Sequence, residues 1–205
     1  MSWDRLRSSY DQVARRYEEA FSEELADKPY DRELLDSWVA TVEDPVLEVG
    51  CGPGQVGAYL RQRGRWVIGT DISHGMARRA ARRLPSAVVA DLRTLPVRQE
   101  SVGAVLGFYC VIHIPRSHLE DAMSEFRRVI RPGGRLLVSA HEGEGELAVD
   151  EFLGEAVPFI ATLFTLDELV SATRSAGMEV TLAERRPPYE AEHPTVRLYV
   201  EARRR

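Results

Sequence analysis

Residues 46–60, VLEVGCGPGQVGAYL, set three glycines within five positions between an apolar run and a helical pattern. The apolar run predicts a short buried strand, and the residues after the loop predict a helix. Gly50, Gly52 and Gly54 carry no side chain, so the loop gives up packing and costs chain entropy. Such a loop lets backbone N–H groups approach a ligand, and the start of the following helix favours negative charge. The segment therefore predicts a binding loop for a nucleoside-like ligand with an acidic group.

Apolar runs and helical patterns alternate along the chain with short connections. The predicted strands are PVLEVG, WVIGTD, AVVAD, part of VGAVLGFYCVIHI, and RLLVSAH. The helical patterns between them are QVGAYLRQR, SHGMARRAARRL and SHLEDAMSEFRRVI. This alternation predicts an α/β fold with a Rossmann-like doubly wound sheet, mostly parallel, and helices on both faces. In such a sheet the glycine loop lies at the carboxyl ends of the strands, where ligands bind.

The regions on either side of this alternation have different patterns. Residues 4–40 are helical in pattern with a break at Pro29, and we expect residues 1–40 to form an N-terminal helical cap. Residues 142–164 are acidic and irregular, which predicts a substrate loop. Thr165 and Glu168 have capping-box spacing at the start of another helix. EVTLAERR and VRLYVEAR then predict two strands that pair antiparallel at the sheet edge.

Composition limits the class of protein. The chain has 205 residues, enough for one domain with a proper core, and a formal net charge of -5. The negative charge argues weakly against a protein that mainly binds the nucleic-acid backbone. Two cysteines, Cys51 and Cys110, suggest no disulfide framework, and no spacing of ligand residues indicates a metal site. Neither a secretory signal nor an apolar run near ~18 residues is present. We expect a cytoplasmic domain with no metal, no nucleic acid and no membrane partner.

The glycine spacing distinguishes two cofactor classes. A dinucleotide-binding fingerprint would place its third glycine where this chain has Gln55. LEVGCGPGQV instead closely resembles the first motif of the class I S-adenosylmethionine-dependent methyltransferases, of the small-molecule type. VIGTDIS, VVADLRTLP, VGAVLGFYCVIHI and RRVIRPGGRLLVS resemble further stretches of that family in the same order. The resemblance covers roughly residues 10–141. It implies S-adenosyl-L-methionine as the cofactor and S-adenosyl-L-homocysteine as the product.

The resemblance also implies a role for each acidic position in these motifs. Asp71, at the end of the second strand, would accept hydrogen bonds from both ribose hydroxyls. Asp91 would accept from the adenine amino group, and the alternative is a turn-forming aspartate. Glu48 would orient the loop or the amino group of the methionine end, or would serve the strand alone. The backbone groups of Gly50 and Gly52 would bracket that methionine end.

Apolar and aromatic positions complete the site that the resemblance implies. Ile72 and Met76 suit the adenine faces, and the backbone of Leu92 would donate to the ring. Tyr10 and Tyr17, in the helix YDQVARRY, are candidates for contacts with the cofactor carboxylate, or pack the helix on the core. The full set of expected cofactor-binding residues is Tyr10, Tyr17, Glu48, Gly50, Gly52, Gly54, Asp71, Ile72, Met76, Asp91, Leu92 and Phe108.

The candidate catalytic residues follow the fourth and fifth strands. They are Tyr109, His113 and His141, with Glu142 next to the last. His113 is the best candidate for a general base or substrate-orienting group, because the ordinary pKa of histidine lies near neutral. The alternative is a capping or packing histidine before Pro115.

Several functions remain open from the sequence. The leading hypothesis is transfer of a methyl group to an O, N or C nucleophile of a small molecule, by a monomer or homodimer. A non-catalytic S-adenosylmethionine-binding regulatory protein would share the same loop. An NAD-dependent oxidoreductase is disfavoured by Gln55. A methyltransferase for RNA or protein is not supported, because FYCVIHIP replaces the Asn/Asp-Pro-Pro-Tyr-type motif of enzymes that N-methylate nucleic-acid bases.

Overall fold

A computed structural model describes residues 2–205 and contains nine strands and six α-helices within that range. The strands are β1 (Val46–Val49), β2 (Val67–Asp71), β3 (Ser86–Val89), β4 (Val102–Phe108), β5 (Ile130–His141), β6 (Glu146–Val149), β7 (Phe159–Thr162), β8 (Met178–Arg186) and β9 (Arg197–Arg204). The helices are α1 (Trp3–Phe21), α2 (Pro29–Val39), α3 (Gln55–Gln62), α4 (His74–Ala80), α5 (Leu119–Val129) and α6 (Leu166–Ser175).

Seven strands form one sheet in the order β3-β2-β1-β4-β5-β9-β8. The first five of these strands are mutually parallel, and β9 pairs antiparallel with both β5 and β8. The predicted Rossmann-like sheet with a C-terminal antiparallel hairpin is confirmed. The chain moves outward from β1 to β3 and then crosses back to β4, so the strand order reverses between β1 and β4. The crevice at this reversal is where such sheets bind ligands.

Hydrophobic cores fill both faces of the sheet. On one face α5 and α6 contribute Met123, Phe126 and Leu169, which are fully buried. On the other face Leu35 and Trp38 of α2 pack with residues of α3 and the sheet. Each such large apolar side chain stabilises the fold by about 1.5–3 kcal/mol when buried. The two cores hold rigid the strand ends that carry the candidate site.

The segment 142–164 contradicts its predicted irregularity. It contains β6 and β7, which pair antiparallel from Glu146 opposite Thr162 to Val149 opposite Phe159. Phe159 packs with Leu6 and Val13 of α1 in a small separate cluster. The strands were missed because their stability comes from pairing and from distant α1, and neither is visible in an acidic, glycine-containing run. The capping box of α6, by contrast, is local in sequence and is confirmed at Thr165 and Glu168.

Helix α1 crosses the carboxyl ends of the strands and is held at two places. Asp11 accepts hydrogen bonds from the Ser73 hydroxyl at 2.6 Å and from the Gly75 N–H at 2.7 Å. On the other side, the Ser9 hydroxyl donates to the carbonyl of Pro158 at 3.0 Å, and Arg16 donates to the carbonyl of Leu153 at the same distance. Helix α1 therefore bridges the start of α4 and the segment around β7. Among residues 2–205, every helix is too short or too polar to cross a bilayer.

Candidate active site

The glycine loop begins directly after β1, and its three glycines have positive φ angles of 66°, 53° and 85°. Two of them are required by the protein's own packing. A Cβ on Gly50 would lie 2.4 Å from the Cβ of Cys110, and a Cβ on Gly54 would lie 3.1 Å from the Cα of Ala80. A Cβ on Gly52 would meet nothing nearer than Tyr17, at 3.8 Å. Of the three glycines, Gly52 is thus the one that has no close packing contact at the point where a Cβ would stand.

Asp71 ends β2 beside this loop and is almost fully buried. One carboxylate oxygen accepts from the Gly52 N–H at 2.9 Å, and the other accepts from the Ser73 N–H at 2.8 Å. Burial raises the pKa of Asp71 to about 6, and these two backbone donors oppose the rise. Each oxygen of a carboxylate has two lone pairs, so Asp71 retains capacity for two further donors.

Glu48 faces the underside of α3. A Cβ on Gly57 would lie 2.4 Å from one of its carboxyl oxygens, and that oxygen is buried without a hydrogen-bond partner among residues 2–205. Burial raises the pKa of Glu48 to about 8, against the influence of the Gly57 N–H. Glu48 is therefore protonated at neutral pH and lies against Gly57.

The Asp91 carboxylate is hydrogen-bonded to Arg93, within the turn that follows β3. Its carboxylate accepts from the Arg93 backbone N–H at 2.9 Å and from the Arg93 guanidinium at 2.6 and 3.0 Å. Partial burial raises the pKa of Asp91, but the hydrogen bonds to Arg93 outweigh this and hold it below its usual value. The Arg93 guanidinium lies 4.2 Å from the centre of the Trp3 ring. The turn geometry agrees with the alternative role considered for Asp91, and an adenine contact stays a prediction.

The apolar residues expected at the cofactor site differ in how deeply they are buried. Met76 and Leu92 are buried, and Leu92 belongs to the core cluster beneath the sheet end. Ile72 and Phe108 are partly exposed. Phe108 lies with its ring centre 6.1 Å from that of Tyr109. Ile72 and Phe108 are thus the expected apolar positions that keep accessible surface.

Tyr10 and His113 form a hydrogen-bonded pair. The Tyr10 hydroxyl lies 2.6 Å from Nε2 of His113, and Nδ1 of His113 lies 3.3 Å from the carbonyl oxygen of Ile160. A carbonyl only accepts, so Nδ1 carries the proton and Nε2 accepts from Tyr10. Burial lowers the pKa of His113 to about 4. The candidate base is therefore neutral at pH 7, and its free nitrogen is already bound.

Tyr17 lies at the centre of the site. Its ring packs edge-on or tilted against Tyr10, Phe21 and Phe152. Burial raises its pKa well above the ordinary value, and the charge of Glu24 adds to the rise, followed by smaller effects of Tyr10, Asp71 and Tyr109. The hydroxyl of Tyr17 remains protonated and can serve as a donor.

Tyr109 and His141 form a second aromatic pair at the ends of β4 and β5. Their rings are stacked with centres 5.0 Å apart, and Tyr109 has a positive φ of 56°. Its hydroxyl lies 3.4 Å from that of Tyr199, and burial raises its pKa. Strain of this kind in a non-glycine residue is typical of functional sites.

The protonation of His141 follows from its neighbours. Nδ1 lies 2.7 Å from the Thr195 hydroxyl, which accepts from Arg197 at 2.8 Å. A hydroxyl has one proton and two acceptor lone pairs, so Thr195 can accept from Arg197 and either donate to Nδ1 or accept from it. Burial and the charges of Arg197 and His193 lower the pKa of His141 to about 3. His141 is therefore neutral at pH 7. Glu142 is paired with Arg185 at 2.6 Å.

A buried charge network next to Tyr109 was missed by sequence reasoning. The Tyr199 hydroxyl donates to Asp31 at 2.7 Å, and the Arg186 guanidinium contacts Asp31 at 3.0 Å and Glu192 at 2.8 Å. All of these side chains are nearly inaccessible to solvent. Their pairing joins α2 to the far end of the chain, which no local pattern predicts.

Within residues 2–205, no cluster of histidine, cysteine, aspartate and glutamate is arranged to hold a metal ion.

Comparison with known proteins supports a methyltransferase family. Residues 46–134 match the family described as "Methyltransferase domain". This match covers less than half of the chain, and together with the similar proteins below it supports a class I S-adenosylmethionine-dependent methyltransferase family. The matched part runs from β1 through the turn inside β5, and so includes the glycine loop, Asp71 and the residues after β4.

Curated relatives of the chain are moderately similar. An uncharacterized methyltransferase of Geobacillus kaustophilus is 26% identical over 138 residues, which are 66% of this chain and 63% of the relative. The demethylmenaquinone methyltransferase of Beutenbergia cavernae is 34% identical over 135 residues, which are 63% of this chain and 55% of that enzyme. The chain therefore spans less than two thirds of the length of these relatives.

Solved structures of methyltransferases share the fold of this chain. The 1,6-didemethyltoxoflavin-N1-methyltransferase of Burkholderia thailandensis, solved with 1,6-didemethyltoxoflavin and S-adenosylhomocysteine, superposes with a TM-score of 0.74 at 21% identity. That match covers 97% of this chain and 87% of the other. A methyltransferase of Methanosarcina mazei gives a TM-score of 0.73 at 17% identity, covering 83% and 96%.

Proposed function

We propose that this protein transfers a methyl group from S-adenosyl-L-methionine to an O, N or C nucleophile of a small molecule. The observation that carries the proposal is the open face of Gly52, which lies between the ring of Tyr17 and the carboxylate of Asp71. The names of the relatives support a methyltransferase, and the solved neighbour with bound S-adenosylhomocysteine supports this cofactor.

The residues around Gly52 fit the cofactor. Asp71 has free lone pairs for the two ribose hydroxyls, and the adjacent Ile72 supplies an apolar surface for adenine. The Tyr17 hydroxyl is a donor suited to the cofactor carboxylate. When bound, the cofactor supplies a methyl group that is already activated on a sulfonium. The protein's task is then to orient the acceptor and to exclude water.

Aromatic side chains provide the exclusion of water in this proposal. Phe159 contacts both Tyr10 and Phe152, with ring centres 4.8 Å apart in each pair, and so joins α1 to the segment that contains β7. Tyr17 extends the same cluster toward Gly52. We assign residues 1–40 and 142–164 to a cap over the acceptor.

The candidate catalytic groups limit the chemistry. For an acceptor that loses a proton, the Tyr10 oxygen would take that proton as its own passes to Nε2 of His113. Because burial lowers the pKa of His113 to about 4, this route is weak at neutral pH. The imidazole of His141 and the stacked ring of Tyr109 would orient the acceptor. The site therefore favours a nucleophile with an available lone pair or an acidic proton.

Two measurements test the proposal. Isothermal titration with S-adenosylhomocysteine should give saturable binding, and NADH should give none. Labelled S-adenosylmethionine should then pass its methyl group to a member of a small-molecule acceptor panel. Binding of NADH without S-adenosylhomocysteine would overturn the cofactor assignment. Binding of S-adenosylhomocysteine without transfer to any acceptor would favour the regulatory alternative.

A further inference from the structure

Gln55, the first residue of α3, is held by a charged chain from the N-terminal region. Its amide nitrogen donates to Glu24 at 2.8 Å, and Lys28 contacts the other oxygen of Glu24 at 2.6 Å. Lys28 is the only lysine in the protein. A carboxylate only accepts hydrogen bonds, so the amide nitrogen of Gln55 must face Glu24. The carbonyl oxygen, Oε1, is therefore directed elsewhere as an acceptor.

The surroundings of this oxygen indicate a missing donor. Oε1 of Gln55 is buried and has no hydrogen-bond partner among residues 2–205. It lies 3.9 Å from the point where a Cβ on Gly52 would stand, on the same open side as Tyr17. A buried acceptor without a donor is unfavourable, and buried polar groups in native proteins are normally paired. A ligand against Gly52 that donates to Oε1 would remove this cost.

The charge of Glu24, beside Gln55, indicates which class of donor would bind to Oε1. Burial raises the pKa of Tyr17, and Glu24 is the charged group that adds most to this rise. The Tyr17 ring borders Gly52, so the charge of Glu24 acts on the same space. Lys28 neutralises part of that charge, and its side chain is mostly buried with Glu24. A cationic donor is favoured where an acceptor and a carboxylate adjoin.

We infer that Gln55, oriented by Glu24, binds the α-ammonium group at the amino-acid end of the cofactor. The inference rests on the proposed function, because it takes S-adenosylmethionine as the ligand against Gly52. It adds a residue that selects the tail of the cofactor, separate from Asp71 at the ribose. Gln55, which stands where a dinucleotide-binding motif would have its third glycine, would then take part in recognising the amino-acid end of the cofactor.

Ligand analogues separate this contact from a general effect on the loop. Binding of S-adenosylhomocysteine, of its deaminated analogue and of methylthioadenosine, which lacks the amino-acid end, would be titrated into the wild type and Gln55→Leu. Loss of a hydrogen bond to a charged group should weaken S-adenosylhomocysteine about tenfold or more. The other two ligands should bind both proteins equally. Glu24→Gln should weaken S-adenosylhomocysteine selectively as well.

Gln62→Leu is the matched control, because Gln62 ends the same helix and is exposed. It should change none of the three affinities. If Gln55→Leu weakens all three ligands equally, or none of them, the ammonium contact is wrong while the proposed function stands. If the wild type binds none of the three, the proposed function fails and the inference with it.

Discussion

The hydroxyl of Tyr10 and Nε2 of His113 lie 2.6 Å apart although the residues are 103 positions apart in the chain. The bond joins α1 to the loop after β4, across the site. His113 also contacts the carbonyl of Ile160 in β7. Three separate segments therefore meet at one imidazole.

Tyr10→Phe should lower the free energy of unfolding by about 1–3 kcal/mol, because it leaves a buried nitrogen without its donor. Denaturant unfolding of Tyr10→Phe, His113→Leu and the double variant measures the coupling. The two changes should be non-additive by at least about 0.5 kcal/mol. Strict additivity would show that the pair contributes no interaction energy.

Removing the carboxylate of Asp71 should weaken S-adenosylhomocysteine. Asp71→Asn keeps the size of the side chain but loses the charge and one acceptor, so the affinity should fall about tenfold or more. Titration calorimetry provides the measurement. Asp121→Asn, an exposed change in the first turn of α5, is the control and should leave binding unchanged. An unaltered affinity in Asp71→Asn would remove Asp71 from the site.

The pH dependence of binding should report Asp71. Burial raises its pKa to about 6 in the free protein. Ribose hydroxyls donate to the ionised carboxylate, so binding lowers this pKa, and affinity is highest above it. Below it the dissociation constant should rise by up to about tenfold per pH unit. Asp71→Asn should flatten the profile, and a profile that is unchanged in the variant would assign the titration to another group.

Glu48 should make the fold less stable as the pH rises. Its pKa is about 8 in the folded protein against an ordinary value of 4.5, because of burial. The neutral form contributes its full stability below 4.5, and this is lost as the pH rises toward 8, because the unfolded chain ionises first. Urea unfolding from about pH 5 to about pH 8 should therefore show a smaller decline in Glu48→Gln. Glu120→Gln, exposed on α5, should decline like the wild type.

The buried network at Arg186 should be essential for stability. Arg186→Ala leaves Asp31 without its paired cation and Glu192 with only the longer contacts to Lys28 at 3.5 Å and Arg197 at 3.7 Å, which should cost about 3–5 kcal/mol. Arg205→Ala removes an exposed arginine paired with Glu179, and should cost at most about 1 kcal/mol. Chemical denaturation of the two variants gives the comparison. Equal, small losses would show that water reaches the network and supports its charges.

The sheet and the loop were predictable because their signals are local. Each parallel strand is a short apolar run, and the loop after β1 carries glycines with positive φ angles, two of which the packing also requires. The position of Asp71 at the end of β2 follows from the strand pattern, whereas its expected role at the ribose came from the family resemblance. The pairing of β6 with β7 was not predictable, because the two strands are separated by residues 150–158 and Phe159 packs on α1.

The contacts between distant segments were hidden from the sequence for a related reason. Gln55 and Glu24 are 31 residues apart, and Asp31 and Tyr199 are 168 apart. These pairs form because the fold brings α2, α3 and β9 together. The chemical type of each residue does not indicate which distant residue it will contact. Asp91 shows the opposite case, because its partner Arg93 is two residues away and the turn was foreseen as an alternative.

A crystal structure of the protein grown with S-adenosylhomocysteine would show where the cofactor binds. We expect the nucleoside to lie against the side of Gly52 that faces Tyr17, with both ribose hydroxyls on the carboxylate of Asp71 and the amino-acid end toward Tyr17 and Gln55. Density for the ligand elsewhere, or a Tyr17 ring that still fills the space over Gly52 at saturating ligand, would contradict this placement.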